Sequence, residues 1–139
     1  MQVIIYTQTD RDNLGIIVPY NKPVEELVEL VPEGSEYKIV NKDDVFAHPT
    51  FLDAITFTNP VTIDMDKAKE ITHVQRRVSR DKEMKPYDDI IAKQIPGEDA
   101  TEAEAQRALI RTKYATKQTE IDACTTVEQL QTIIEGMVS

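Results

Sequence analysis

The sequence predicts an α+β protein, with a small β-β-α-β head followed by a helical hairpin or three-helix C-terminal tail. Three observations predict it. Short β-branched runs separated by turn residues occupy the first sixty positions. Helical periodicity begins at Asp64 and runs, with breaks, to Glu135. Between the two lies Asn59-Pro60-Val61-Thr62, which sets the expected boundary: a mixed head over 1–60 and a helical tail over 61–139.

Val3-Ile4-Ile5-Tyr6 has the β-branched character of a buried strand, and Ile16-Ile17-Val18 that of a second. Asp10-Arg11-Asp12-Asn13-Leu14-Gly15 between them is turn chemistry, so the two form a hairpin. Pro19 closes the second strand, because it cannot donate to a ladder. Pro23 to Leu30 forms a short helix. Pro23 suits its first position, Glu25 and Glu26 suit the positive end of its dipole, and Val24, Leu27, Val28 and Val31 fall at helical spacing. Tyr37-Lys38-Ile39-Val40 is a third strand, and Asn41-Lys42-Asp43-Asp44 turns the chain. Phe46, Phe51, Leu52, Ile55 and Phe57 then supply an irregular plug for the head. Its core is expected from Val3, Ile5, Ile17, Val18, Ile39, Val40, Phe51 and Phe57.

In the tail, Ala68, Ile71, Val74 and Val78 make one apolar helical face. Tyr87, Ile90, Ile91 and Ile95 continue the spacing on roughly the opposite side, so Pro86 is expected to kink or restart the helix before Ile95-Pro96-Gly97 ends it. A second long helix spans about Thr101 to Ala123 with two stripes. One is Ala105, Ala108, Leu109 and Thr112; the other is Ile110, Tyr114 and Ile121. A helix apolar on two sides contacts two things, so the partner-binding residues are expected to be Ile110, Tyr114 and Ile121, with Tyr87 and Ile91 of the preceding helix. Thr125 and Glu128 have the spacing of a capping box ahead of a terminal helix faced by Val127, Leu130, Ile133, Ile134 and Met137.

Composition narrows the function. With 40% hydrophobic residues but only 6% aromatic and no Trp, the core is modest. There are 25 acids against 16 bases, and the net charge of -9 argues against a nucleic-acid partner, since phosphate binding rests on Lys and Arg. The same balance suits a basic protein partner. The basic run from Lys67 to Lys85 is interleaved with Asp66, Glu70, Asp81 and Glu83, which is the pattern of a solvated helix with paired charges. Cys124, the single cysteine, cannot form an intramolecular disulfide. It is expected to be a small buried residue among Ile121, Ala123 and Val127, in a reducing context. No apolar run reaches membrane-spanning length, and Met1 to Tyr6 lacks the basic and long apolar regions of a signal peptide. Synthesis in a cytoplasm, with no membrane partner, is the expectation.

Catalytic and metal motifs are weak throughout. Asp10-Arg11-Asp12-Asn13-Leu14-Gly15 starts like a calcium loop but fails at its fifth place, Leu14, and at its twelfth, Asn21. His48 and His73 have no second His or Cys at zinc-ligand spacing. There is no nucleophile elbow and no glycine-rich phosphate loop, and Asp43-Asp44, Asp88-Asp89 and Glu98-Asp99 read as solvated charge. No catalytic residue, metal, cofactor or small-molecule substrate is expected, and the chain reads as a non-enzymatic protein.

Asp64-Met65-Asp66-Lys67-Ala68-Lys69-Glu70-Ile71, Arg76-Arg77-Val78-Ser79-Arg80, Lys85-Pro86 and Thr125-Thr126-Val127-Glu128-Gln129-Leu130 fall in an order that resembles small proteins encoded among the tail genes of tailed bacteriophages. Ile110-Arg111-Thr112-Lys113-Tyr114-Ala115 and Glu33-Gly34-Ser35-Glu36-Tyr37-Lys38-Ile39-Val40 are similar too. The chain departs from that group at Phe51-Leu52-Asp53-Ala54-Ile55, which lacks a Trp. The resemblance carries over no catalytic residue. It implies a structural adaptor of the virion tail that binds a tail-fibre or baseplate protein, or itself as a homo-oligomer. Alternatives are a tail-fibre assembly chaperone that does not stay in the virion, and a phage inhibitor of a host or defence protein.

The failed calcium pattern gives a direct test. Calcium, magnesium or zinc added to chelator-treated protein should leave its melting temperature unchanged, and a saturable rise with calcium would overturn the reading of Asp10–Gly15 as a turn.

Overall fold

Three strands pair through their β-branched runs into one antiparallel sheet. A computed structural model describes residues 1–93, 96–97 and 99–137. The strands are β1 (Gln2–Tyr6), β2 (Gly15–Ile17) and β3 (Tyr37–Asn41), in spatial order β2-β1-β3. β1 is central, with Ile4 opposite Ile17 on one side and opposite Ile39 on the other. The chain is α+β: this sheet with its short helices, then long helices packed as a hairpin and bundle. It forms two compact units, Met1–Ala68 and Lys69–Ser139.

In the first unit the period of two sends alternate residues of β1 to opposite faces. Val3 and Ile5 join Val40, Val45, Ile55 and Val61 in one apolar cluster. Ile4 joins Val24 and Leu27 in another, with Ile17, Val28, Val31 and Ile39 packed against it. Both faces of the sheet are therefore covered, one by residues 45–63 and the other by the segment around Val24–Leu30. That segment is a 3-10 helix, not an α-helix, and Pro23 is its N-cap residue instead of its first helical residue. The two buried residues, Val24 and Leu27, are three apart, which is one 3-10 turn.

Asn41 to Asp44 does more than turn. Residues Lys42–Val45 form a short helix, α1, whose N-cap Asn41 side chain accepts from Asp43 N at 2.9 Å. The expected plug contains a second 3-10 helix, Pro49–Ala54, followed by a bridge between Ile55 and Ile63. Phe51 is fully buried, whereas Phe57 is half-buried with Lys38 Nζ 4.8 Å from its ring centre. Val18 is 45% exposed and drops out of the expected core, because it lies beyond the last β2 pair. Ile4 takes its place. Gly15 pairs with Tyr6, whose ring lies where a Cβ would stand, 2.0 Å from its nearest atom. Any larger residue there must displace the ring.

The second unit contains most of α2 (Met65–Lys93), with α3 (Ala100–Ala123) and α4 (Val127–Glu135). Asp64 starts α2 by accepting from Asp66 N at 3.0 Å and Lys67 N at 3.2 Å. Pro86 lies inside a single helix and does not restart it. Pro86 and Lys82 are both exposed, so the Lys82 carbonyl that loses its N–H partner is on the solvent side. Ile95, expected to close this helix, lies outside the described residues. Asp99 caps α3, accepting from Thr101 N at 2.8 Å. The capping box of α4 is Thr126 with Gln129, one residue beyond the expected Thr125 and Glu128. Gln129 closes it because its Oε1 accepts from Thr126 N at 3.3 Å, and the same oxygen accepts from Thr125 N at 2.8 Å.

Truncation should separate the two phenylalanines. Phe51→Ala should lower unfolding free energy by about 3–5 kcal/mol, and Phe57→Ala by distinctly less, in urea titrations of the full chain. Equal losses would mean Phe57 is core as well.

Candidate functional site

The α2–α3 hairpin buries polar side chains where the sequence suggests apolar ones. On α2 the buried residues are Ala68, Thr72, Arg76, Ser79 and Met84. Val74 and Val78, expected on one apolar face with Ala68 and Ile71, are 49% and 44% exposed. The links to α3 come from His73 and Glu83, which bond Asp122 and Lys113. On α3 the buried residues are Ala103, Tyr114 and Ile121, and Cys124 follows at the C-cap. Ala105, Ala108, Leu109 and Thr112 are all exposed, so α3 is buried along one stripe, not two.

A hydrogen bond and two ion pairs stitch the two helices in antiparallel register. His73 Nε2 lies 2.8 Å from Asp122 Oδ1, Lys113 Nζ 2.7 Å from Glu83 Oε1, and Arg107 Nε 2.8 Å from Asp88 Oδ1. The last is an ion pair by distance only, since the Nε–H of Arg107 is not aimed along the contact. Arg107 and Arg111 also hold Glu104, and the Arg111 hydrogen bond is the main cause that lowers the carboxyl pKa there.

Arg76 is only 7% exposed, and burial, then Arg77 and Arg80, lower its pKa. Its Nε–H donates to His73 Nδ1 at 3.3 Å. That bond requires an unprotonated Nδ1, so the neutral ring carries its hydrogen on Nε2 and donates to Asp122. His73 is thus part of a hairpin network. Cys124 is buried and its thiol pKa is raised by that burial. Its Sγ–H donates to the Glu120 carbonyl at 3.2 Å, as befits a packed cysteine.

Of the expected partner-binding residues, Tyr114 and Ile121 are corrected: they are 1% and 0% exposed and form the inside of the hairpin. Their stripe is the one that packs. Ile110, Tyr87 and Ile91 are half-buried. Ile110 and Tyr87 line a shallow groove of about 380 Å³ on the hairpin, with Pro86 and Leu109 as further apolar wall and Lys82, Glu83, Gln106 and Lys113 as polar wall. Ile91 is not in its lining. Leu109 is 64% exposed and was placed by sequence on the opposite stripe from Ile110. The sequence signal that could have found it is its size, since the other members of its stripe are Ala and Thr.

Glu83 lies under this groove with one oxygen on Lys113 and the other buried. Neither that oxygen nor the buried Tyr114 hydroxyl makes a hydrogen bond of good geometry among the described residues, although the Glu83 carboxylate is close enough to help raise the phenol pKa. Among the described residues, no three His, Cys, Asp or Glu side chains gather as a metal site. No protein-family model, curated protein or solved structure matches this chain.

Tyr114 makes the hairpin sensitive to alkali. Burial, then Glu83, pushes its phenol up to about 12 from an ordinary 10. The folded chain keeps that proton where the unfolded chain releases it. Stability is therefore fully present below pH ~10 and is lost as pH rises toward ~12. Between pH 9 and about 11, wild type should lose roughly 1 kcal/mol more than Tyr114→Phe in urea titrations. Equal losses would place the hydroxyl in water.

Proposed function

We propose that this chain is a non-enzymatic protein-binding adaptor that engages its partner through the groove of the α2–α3 hairpin. The observation that carries the reading is the groove itself. Leu109, Ile110, Pro86 and Tyr87 present apolar surface at one place, and Leu109 leaves 64% of its area exposed. Burying such surface is the main favourable term in protein association, and an aromatic residue beside aliphatic ones is a common anchor. Lys82 and Lys113 on the rim suit a segment that combines apolar and acidic residues.

The biological setting rests on the resemblance to tail-gene proteins of tailed bacteriophages. On it, the partner is a tail-fibre or baseplate protein, and the chain ends in the virion tail after synthesis in the host cytoplasm. The shallow groove, with one apolar and one polar wall and no deep enclosure, supports docking of a protein segment over capture of a small molecule.

The test is co-expression with neighbouring tail proteins and affinity capture on this chain. Leu109→Asp should weaken capture at least about tenfold, equivalent to about 1.4 kcal/mol, while changing stability by no more than about 0.5 kcal/mol, because the site is exposed. Capture unaffected by Leu109→Asp and by Tyr87→Ala would remove the groove from the interaction. Mass spectrometry of purified virions then separates a resident component, whose peptides are present, from an assembly chaperone, whose peptides are not.

A further inference from the structure

We propose that the outer edge of β3 pairs with the same edge of a second copy of this chain, joining two three-stranded sheets into one across a two-fold axis at Ile39. This goes beyond the adaptor reading and does not depend on it, since β3 belongs to Met1–Ala68 and the groove to the other unit.

The geometry begins with hydrogen-bond parity. β3 is an edge strand, paired only with β1. At its two ends Thr7 N donates to Glu36 O at 2.9 Å, and Lys42 N donates to Met1 O at 3.0 Å. In an antiparallel ladder the residues that exchange bonds alternate with those that face away. Residues 36, 38, 40 and 42 thus turn their main-chain groups to β1, while Tyr37, Ile39 and Asn41 turn theirs outward. Those outward groups have no β1 partner, apart from the Asn41 carbonyl that opens α1.

An antiparallel copy centred on Ile39 matches this parity. Ile39 meets Ile39 of the second copy, and Tyr37 meets Asn41. About four inter-chain hydrogen bonds result: two between the Ile39 residues, and one from each Asn41 N–H to a Tyr37 carbonyl. The same register sets Glu36 opposite Lys42 at both ends, so each end carries an opposite-charge pair. The central pair is apolar on both sides.

Edge strands that must stay unpaired carry a guard, most often an outward lysine or a proline. β3 has no proline, and the ammonium of its one lysine, Lys38, lies 4.8 Å from the ring centre of its own unit's Phe57. That position leaves the edge open. Net repulsion opposes the pairing, since residues 1–68 hold 12 acids and 5 bases against 13 and 11 in the rest. A five-residue edge also falls short of the roughly 1,200–2,000 Å² of a stable interface. The dimer is accordingly weak, and added salt strengthens it by screening the like charges.

Sedimentation velocity of the full chain from micromolar to millimolar concentration tests this. A monomer–dimer equilibrium that tightens with salt is expected. Glu36→Lys alone, or Lys42→Glu alone, should weaken it about tenfold, because each sets like charges opposite one another at both ends. Mixing the two variants should restore association, because only the mixed pair has opposite charges at both ends. Amide exchange at Ile39 and Asn41 should slow with concentration. A chain that stays monomeric at millimolar concentration overturns the proposal. So does a dimer indifferent to both variants, a mixture that does not recover, or an edge that captures a different protein while the chain alone stays monomeric.

Discussion

Three consecutive residues of β1, Val3, Ile4 and Ile5, are each fully buried, and the first unit is organised around that constraint. Successive strand residues point to opposite faces, so three buried in a row require a cover on each side of the sheet. A sheet of three strands cannot cover itself. The 3-10 helix Val24–Leu30 closes the Ile4 side, and the segment from Val45 to Ile63 closes the Val3 and Ile5 side. Each cover is short and irregular because it need present only a few apolar groups. Val24 and Leu27 serve one face, and Val45, Ile55 and Val61 serve the other. In a unit of this size every one of these contacts is a sizeable share of the roughly 5–15 kcal/mol that separates folded from unfolded chains.

The helical unit is built on a different balance. Its inner surface includes Thr72, Arg76 and Ser79, none of which would be chosen for apolar burial. Burying a guanidinium is costly unless it is hydrogen-bonded. Here Arg76 donates to His73, His73 is held by Asp122, and Glu83 with Lys113 and Asp88 with Arg107 continue the polar links along the hairpin. Paired charges of this kind are worth little as net stability when half-exposed. Their effect is on register, because sliding either helix by one turn would part Glu83 from Lys113, Asp88 from Arg107 and His73 from Asp122. That fixed register is what brings Tyr87 and Pro86 of α2 alongside Leu109 and Ile110 of α3 to form the groove.

The candidate site was partly legible. Ile110 and Tyr87 were visible as apolar residues in excess of one helix face, and both line the groove. Tyr114 and Ile121 carried the same signal but are inside the hairpin. A periodic stripe says that a helix has an apolar side and cannot say whether that side meets its own neighbour or a foreign one. Leu109 was hidden among alanines. Its exposure depends on which way α3 is rolled, and that roll is set by Tyr114 and Ile121 filling the hairpin interior.

By itself the sequence determined the α+β class, the three strands, the β1–β2 hairpin and the long helices. These follow from local rules: β-branched runs, turn residues, caps, and the period of apolar positions. It also determined the charge balance, since composition needs no coordinates. Only the tertiary structure decided which face of α2 is inside. Val74 and Val78 are 49% and 44% exposed while Thr72, Arg76 and Ser79 are buried, because an apolar stripe does not say which side of a helix meets a neighbour. It decided that Asn41–Asp44 begins a helix and that Pro86 sits within one, where exposure of Lys82 leaves the orphaned carbonyl to water. It also decided that β3 lies at the edge of its sheet: strand order depends on pairing between residues far apart in sequence, and no local pattern encodes that order.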